Sequence, residues 1–255
     1  MRPPMIDREE AVIRFQDLID PGTPLRVLRL LGEAKMGKTH LLTKVFPALA
    51  QQQRVRCAIL DLRNKRQIII AHLHQACEQL GREHFPTFDR AYTSWITQPQ
   101  IEVRGLQALV SIISVRGRGR EDDTNRIIPH LIRCFVDDLR QIANQQLVLI
   151  FDQVDDAAPE TQTWLLDTFL GQVQGVMHVR VVVGGRTLPE ALGTYARFCE
   201  DYALTPVHED RAYITYCQEV GASLVEQSIR DLAKALCYAP GVFAETIQTH
   251  FVAKG

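Results

Sequence analysis

The sequence predicts an α/β fold, a three-layer sandwich with a mostly parallel sheet, followed by a small all-α unit. Three observations carry this. As far as Pro206, short apolar runs alternate with longer segments of helical period, the pattern of helices stacked on both faces of a parallel sheet. One run, Leu147 to Phe151, is continuously apolar, as befits a strand covered on both sides. Beyond Pro206 no further strand pattern occurs, and 208–252 reads as helices broken near Gly221 and at Ala239-Pro240-Gly241. The expected division is a core over 1–206 and a helical unit over 207–255.

The elements follow in order. Leu25 to Leu31 reads as the first strand, and helical period runs from about Lys38 to Gln52. Val55 to Asp61 is the second strand, with a helix after it to about Leu80. Residues 82–125 fit the pattern least. They hold Phe85-Pro86-Thr87-Phe88, a short apolar stretch from Leu106 to Val115 and the basic loop Arg116-Gly-Arg118-Gly-Arg120. An amphipathic helix runs from about Asn125 to Ile142, and the third strand is Leu147 to Phe151. Pro159 suits the first turn of the next helix, which ends near Gly171. Val179 to Val183 is a fourth strand, and Tyr202 to Pro206 reads as a short fifth.

Composition narrows the class. With 255 residues, 46% of them apolar, the chain can bury a core without disulfides or a structural metal. The formal net charge of -1 excludes a basic coat over the whole surface, though not a local patch. No apolar run approaches the roughly 18 residues of a membrane span, and the opening MRPPMIDREE has no apolar signal core. These features point to the cytoplasm and away from a membrane. None of the six cysteines has zinc-ligand or C-x-x-C spacing, so they read as reduced, packed thiols. His72 and His74, two apart, would lie on different faces of a helix, which argues against a shared metal.

Gly32-Glu33-Ala34-Lys35-Met36-Gly37-Lys38-Thr39 matches G-x-x-x-x-G-K-[ST] at every fixed position, with a strand before it and a helix after it. The segment resembles the phosphate loop of P-loop NTPases, the alternative being a chance glycine-rich turn. Its glycines let successive amides turn inward toward phosphate oxygens, and the helix amino end adds partial positive charge. Lys38 would reach the β- and γ-phosphates and the Thr39 hydroxyl would ligate Mg²⁺. With His40 directly after, these residues form the candidate cradle for ATP or ADP. Leu147 to Asp152 ends an apolar strand in a carboxylate suited to holding Mg²⁺, mostly through water. The next residue is Gln153, which cannot accept a proton at neutral pH. Asp155 and Asp156 follow, either to orient water or simply to cap the helix starting at Pro159. Slow hydrolysis is therefore expected, with Asp155 the candidate water-orienting acid. Arg186 ends Val181-Val-Val-Gly-Gly-Arg186 and is a candidate sensor of the γ-phosphate.

Taken together these segments resemble the STAND class of P-loop NTPases, signalling ATPases that include the NACHT and AP-ATPase families. Met5-Ile6-Asp7-Arg8-Glu9 resembles the opening segment that touches adenine there, with Asp7 where Gly is usual. Gly184-Gly185-Arg186 resembles the sensor segment. Leu204 to Tyr213 resembles the junction into the helical lid. Tyr238-Ala-Pro240-Gly241 resembles the lid's G-x-P element, with Tyr238 in the place of Gly. The resemblance implies nucleotide contacts by Ile6, Arg8 and Pro240. It also implies a switch: ADP favours a closed form, ATP an open form that assembles with itself or with a separate effector or sensor protein. The chain ends at the lid, so it reads either as a free-standing ATPase whose sensor and effector are separate polypeptides or as an excised domain.

Two rivals stand beside this. An AAA+ ATPase of the DNA-loading or transposition-helper kind would use the Arg116, Arg118 and Arg120 loop on nucleic acid, although Glu121-Asp122-Asp123 offsets its charge. A nucleotide-bound scaffold without useful hydrolysis would accord with Gln153. Residues 82–125 are the candidate partner-specific insert, and Tyr92 to Ile96, around Trp95, is either an exposed aromatic anchor or core.

Overall fold

The computed structural model describes residues 4–64, 69–97, 121–142, 145–191 and 193–252. Five strands, β1 (Val27–Leu31), β2 (Arg56–Asp61), β3 (Leu147–Asp152), β4 (Val179–Gly185) and β5 (Cys199–Ala203), form one parallel sheet in the order β2-β3-β4-β1-β5. Every pairing among them is parallel, so all carboxyl ends share one edge of the sheet. In sequence β2 lies between β1 and β3, and in space β4 does.

Helix α1 (Glu9–Ile19) precedes the sheet. Lys38–His40, a π turn over Leu41–Val45 and Phe46–Gln52 run on as a single helix, α2. The amide of Phe46 reaches back five residues to Leu41, directly before Pro47, which has no amide to donate. Then come α3 (Ile69–Leu80), α4 (Pro86–Thr97), α5 (Glu121–Gln141) and α6, assembled from Pro159–Thr163, Trp164–Phe169 and Leu170–Val173. The last three helices are α7 (Asp210–Glu219), α8 (Glu226–Ala235) and α9 (Pro240–His250).

The alternation of strand side chains divides the core into two layers. Leu28, Leu30, Val148, Ile150 and Val182 face α1 and α2, where Phe15 and Phe46 stack with ring centroids 4.3 Å apart. Leu147, Leu149, Phe151, Val181 and Val183 face α3 to α6, packing on Leu73, Phe135, Leu165 and Phe169. Residues after Val207 gather their own cluster of Tyr213, Tyr216, Ile229, Phe243 and Ile247, which Ile6 joins from the amino-terminal segment. The free edge of β2 is blunted by Gln79, whose amide accepts from the Ile59 amide at 2.7 Å and donates to its carbonyl at 2.8 Å. Among the described residues no helix is long and apolar enough to cross a membrane. All six cysteines are free.

Three boundaries differ from the sequence-based expectation. Residues 86–97 form α4, whose Phe88, Tyr92 and Trp95 pack in the core with Phe85 and Phe135; Trp95 is core rather than an exposed anchor. Strand β5 lies three residues earlier than expected, because an edge strand that is half exposed carries no apolar run. Helix α5 starts at Glu121 and tolerates Pro129 within it. The stretch Leu106 to Val115 and the loop with Arg116, Arg118 and Arg120 lie outside the described residues.

Two buried polar groups make this architecture testable. Asp138 on α5 is fully buried and accepts the Phe88 amide at 2.8 Å, capping the first turn of α4 from a neighbouring helix. Asp138→Ala is expected to cost about 1–3 kcal/mol, seen as a lower urea midpoint; an unchanged midpoint would show that α4 needs no such cap. His72, 1% exposed, has its pKa pushed down to about 4 by burial, against the opposing pull of Asp61. The unfolded chain therefore binds more protons between pH 6.5 and about 4, and stability falls as pH drops through that window. The loss attributable to His72 is on the order of 3 kcal/mol. His72→Gln should flatten that part of the stability–pH curve, and an unaltered slope would remove His72 as its source.

Candidate nucleotide-binding site

The site forms where β1, β3 and β4 end. Chain leaving β1 at Gly32 runs flush against the exit of β5: a Cβ there would stand 2.8 Å from the Leu204 carbonyl oxygen, and φ is +150°. Lys35 (φ +71°) and Gly37 (φ +91°) take left-handed conformations that curl the loop before α2 begins at Lys38. The Lys38 ammonium donates back into the loop, to the carbonyls of Gly32 and of Glu33, the latter at 2.9 Å. Burial pushes its pKa down, partly opposed by Asp155, Asp152 and Glu33.

Asp152 closes β3 and is 1% exposed. Burial raises its pKa, against hydrogen bonds from the Thr39 side chain and from Gln153, while its Oδ1 has no partner. A buried carboxylate with one unpartnered oxygen, beside a threonine hydroxyl, is a donor set that fits Mg²⁺. No group of three or more His, Cys, Asp or Glu side chains surrounds a common point among the described residues. A cation held here would take its remaining ligands from phosphate and water.

Gln153 adopts a left-handed φ of +58°, turning the chain into the short Val154–Asp156 helix. Asp155 then faces the end of β4. It accepts the Arg186 amide at 2.9 Å and Arg186 Nε at 2.5 Å, while Arg186 Nη2 donates to Asp156 at 2.6 Å. Burial alone would raise the Asp155 pKa, but its bonds to Arg186 hold it below the usual carboxylate range. The Gly184-Gly185 pair makes this approach possible. A Cβ on Gly184 would fall 2.3 Å from a Leu42 methyl, and one on Gly185 3.0 Å from Asp155 Oδ1.

A cavity of about 370 Å³ opens over these groups, lined on the loop side by Ala34, Lys35, Gly37, Lys38, Thr39 and His40. Gln153, Asp155, Asp156 and Arg186 line its far wall. Its third wall comes from α9, through Gly241 of the G-x-P-like segment and through Val242 and Glu245, which no motif marks. The available signal was the spacing: once a helix starts at Pro240, residues 241 and 245 share a face. The contact is close, for the Gly241 amide donates to the Lys35 carbonyl at 2.9 Å, and a Cβ there would come within 2.5 Å of that oxygen.

Other expected contacts lie elsewhere. Gly32, Glu33, Met36 and Asp152 back the loop without lining the cavity, and Met36 packs into the core. Ile6 is buried in the helical cluster and Pro240 is buried at the start of α9. Arg8, 7% exposed, donates to the Met36 carbonyl at 3.1 Å and the Thr205 carbonyl at 2.9 Å. These three brace the junction between the phosphate loop, the amino-terminal segment and the helical unit, and none lines the cavity. His40 does line it; burial pushes its pKa down, opposed by a hydrogen bond with the backbone of Pro4. Asp7 and Tyr238, the two residues standing where the resembling motifs carry glycine, both have left-handed φ, +41° and +54°.

A family described as the AAA ATPase domain matches residues 4–183. No curated protein matches the sequence. Among solved structures, a Walker-type ATPase of Pyrococcus abyssi is similar at TM-score 0.52 and 14% identity, over 97% of this chain and 71% of that one. Cdc6p of Pyrobaculum aerophilum is similar at TM-score 0.53 and 15% identity, over 98% of this chain and 64% of that one. A HORMA–CdnC–Trip13 complex of Escherichia coli MS115-1 contains a chain similar at TM-score 0.51 and 14% identity, over 90% and 73%. At these identities the likeness shows the fold.

The α9 contact is open to a direct test. Gly241→Ala places a methyl group against the Lys35 carbonyl and should push α9 off the loop at a cost of about 1–3 kcal/mol. Amide exchange at residues 35–37 and 241–245 should speed up accordingly. Unchanged protection in both segments would show that the contact is not closely packed.

Proposed function

The chain belongs to the AAA ATPase domain family, and from that premise we propose that it is a nucleotide-dependent switch that binds ATP and ADP with Mg²⁺ and hydrolyses ATP slowly. One observation carries the reading: a single cavity takes its walls from the phosphate loop, from the tips of β3 and β4, and from α9. A ligand filling it touches both the core, 1–206, and the helical lid, 207–255, and so biases their arrangement. Lys38 and the loop amides hold the β- and γ-phosphates. Thr39 and Asp152 hold Mg²⁺, which neutralises phosphate charge when bound. Arg186 senses the γ-phosphate and Asp155 orients water.

Slow turnover accords with two features of the site. Gln153 stands directly after Asp152 and cannot take a proton. Asp155, the nearest alternative, is engaged by Arg186, so each must leave the other before either acts on substrate. The STAND-like character of the switch is supported by Asp7 and Tyr238: both stand where the resembling motifs carry glycine, and both hold a left-handed backbone that glycine adopts at least cost. On this reading ADP keeps the lid closed and ATP promotes assembly with a second copy or with a separate sensor or effector.

Three measurements test this. Lys38→Ala should weaken binding of both nucleotides by about ten- to a hundredfold; full affinity in that variant would remove the phosphate-loop reading. In single-turnover hydrolysis, Asp155→Asn should be slower than wild type by about a hundredfold with nucleotide affinity little changed. Equal rates would exclude Asp155 as the water-orienting group. Light scattering should show a larger mass with a slowly hydrolysed ATP analogue than with ADP, and identical masses with every partner tried would count against the switch.

A further inference from the structure

We propose that Glu245 on α9 discriminates between nucleoside di- and triphosphate, setting the lid against the γ-phosphate; this rests on reading the cavity as the nucleotide site. Glu245 is an exposed residue whose place on α9 follows from the contact of that helix with the phosphate loop. The Gly241 amide is bonded to the Lys35 carbonyl, and Glu245 lies four residues further along the same helix face. That is one turn, about 6 Å along the axis, and both residues line the cavity.

The open volume belongs to the phosphate end. Ile6, in the segment expected to touch adenine, is packed with Val207 and Tyr213 in the helical cluster and is absent from the cavity lining. The lining carries three cations, Lys35, Lys38 and Arg186, and three carboxylates, Asp155, Asp156 and Glu245. Asp155 and Asp156 are both tied to Arg186. Glu245 has no hydrogen bond or ion pair among the described residues, and no cationic side chain accompanies it on the lid wall. The amino end of α9 contributes about half a positive charge, which a full carboxylate outweighs, so the lid presents net negative charge to the ligand.

A diphosphate meets Lys38 and the loop amides. A triphosphate adds one further negative charge at neutral pH, which in this proposal lies between Arg186 and Glu245, both of which line the cavity. At separations of about 6 Å and an effective dielectric between those of water and a protein surface, one added charge opposite a carboxylate weakens binding by about tenfold. By reciprocity, the triphosphate loosens the closed lid by the same factor.

The test is the ratio of dissociation constants for fluorescent ADP and for a fluorescent, slowly hydrolysed ATP analogue, both with Mg²⁺ at low salt. Glu245→Gln should strengthen triphosphate binding about tenfold and leave ADP within about twofold. Glu245→Lys should move the ratio further the same way, and both shifts should shrink in about 0.5 M salt. An unchanged ratio in both variants overturns the proposal while leaving the nucleotide site intact. Failure of the wild-type protein to bind either nucleotide, or full affinity in Lys38→Ala, overturns the nucleotide site and this inference with it.

Discussion

Strand β4 hydrogen-bonds to β1 on one side and to β3 on the other, and the site depends on that placement. Neighbouring strands lie about 4.8 Å apart, so inserting one strand sets the tips of β1 and β3 roughly 10 Å from each other. The phosphate loop springs from the first tip and Asp152 closes the second, leaving between them a gap wide enough for a phosphate chain. Anything bulky at the end of β4 would fill it. The two glycines before Arg186 keep the gap open, since side chains there would collide with Leu42 or Leu188 and crowd Asp155. Arg186, the next residue, stands at the mouth. Sheet order, glycine pair and arginine thus form one arrangement.

Charge placement follows the same geometry. Asp152 and Lys38 are both driven toward their neutral forms by burial, in opposite directions of pKa. A site of this kind is poorly satisfied by its own residues and well satisfied by a polyanion with a divalent cation. The buried arginines of the sheet contrast with it. Arg180 on β4 donates to the Leu18 and Met177 carbonyls, each at 2.7 Å, and burial lowers its pKa to about 10. Arg29 on β1 donates to the Pro189 carbonyl at 2.7 Å and lies 3.3 Å from Asp201. These two have structural partners and face away from the cavity. Arg29 in particular anchors the chain just after Arg186, holding the segment that leaves β4 against β1 and β5.

Legibility from sequence tracked how local each signal is. Strands β1, β3 and β4 show in the sequence as largely apolar runs because they are covered on both faces, and the phosphate loop shows in its spacing alone. Strand β5 escaped correct placement because, at the sheet edge, Glu200 and Asp201 interrupt any run. Helix α4 was missed because its buried face is built of Phe88, Tyr92 and Trp95 between polar residues, and because its cap, Asp138, comes from a helix some 50 residues later. The third wall of the cavity was out of reach for the same reason. Nothing near Glu245 in sequence says that Gly241 will rest on Lys35; only the fold brings them together. Arg8 and Ile6 were expected at the base, and the docking of the helical unit turns them into braces instead.

The joint between core and helical unit carries its own strain. Asp7 lies just before Arg8, and Arg8 ties the phosphate loop to Thr205 at the exit from the core. Tyr238 lies just before α9, and its carbonyl accepts the amide of Val207 at 3.1 Å, from the other strand of the same joint. Both residues hold left-handed φ without being glycine, at a cost of about 1–2 kcal/mol each. Tyrosine is the costlier choice for such a position, and the tilted contacts of its ring with His208 and Tyr213 help to keep it there. Conformations of this kind persist only where surrounding contacts over-determine them. The contacts in question run from phosphate loop to linker and from linker to α9. In the proposed switch, α9 would part from the core beside Tyr238, so the backbone conformation there and the seat of Gly241 on the Lys35 carbonyl belong to one joint.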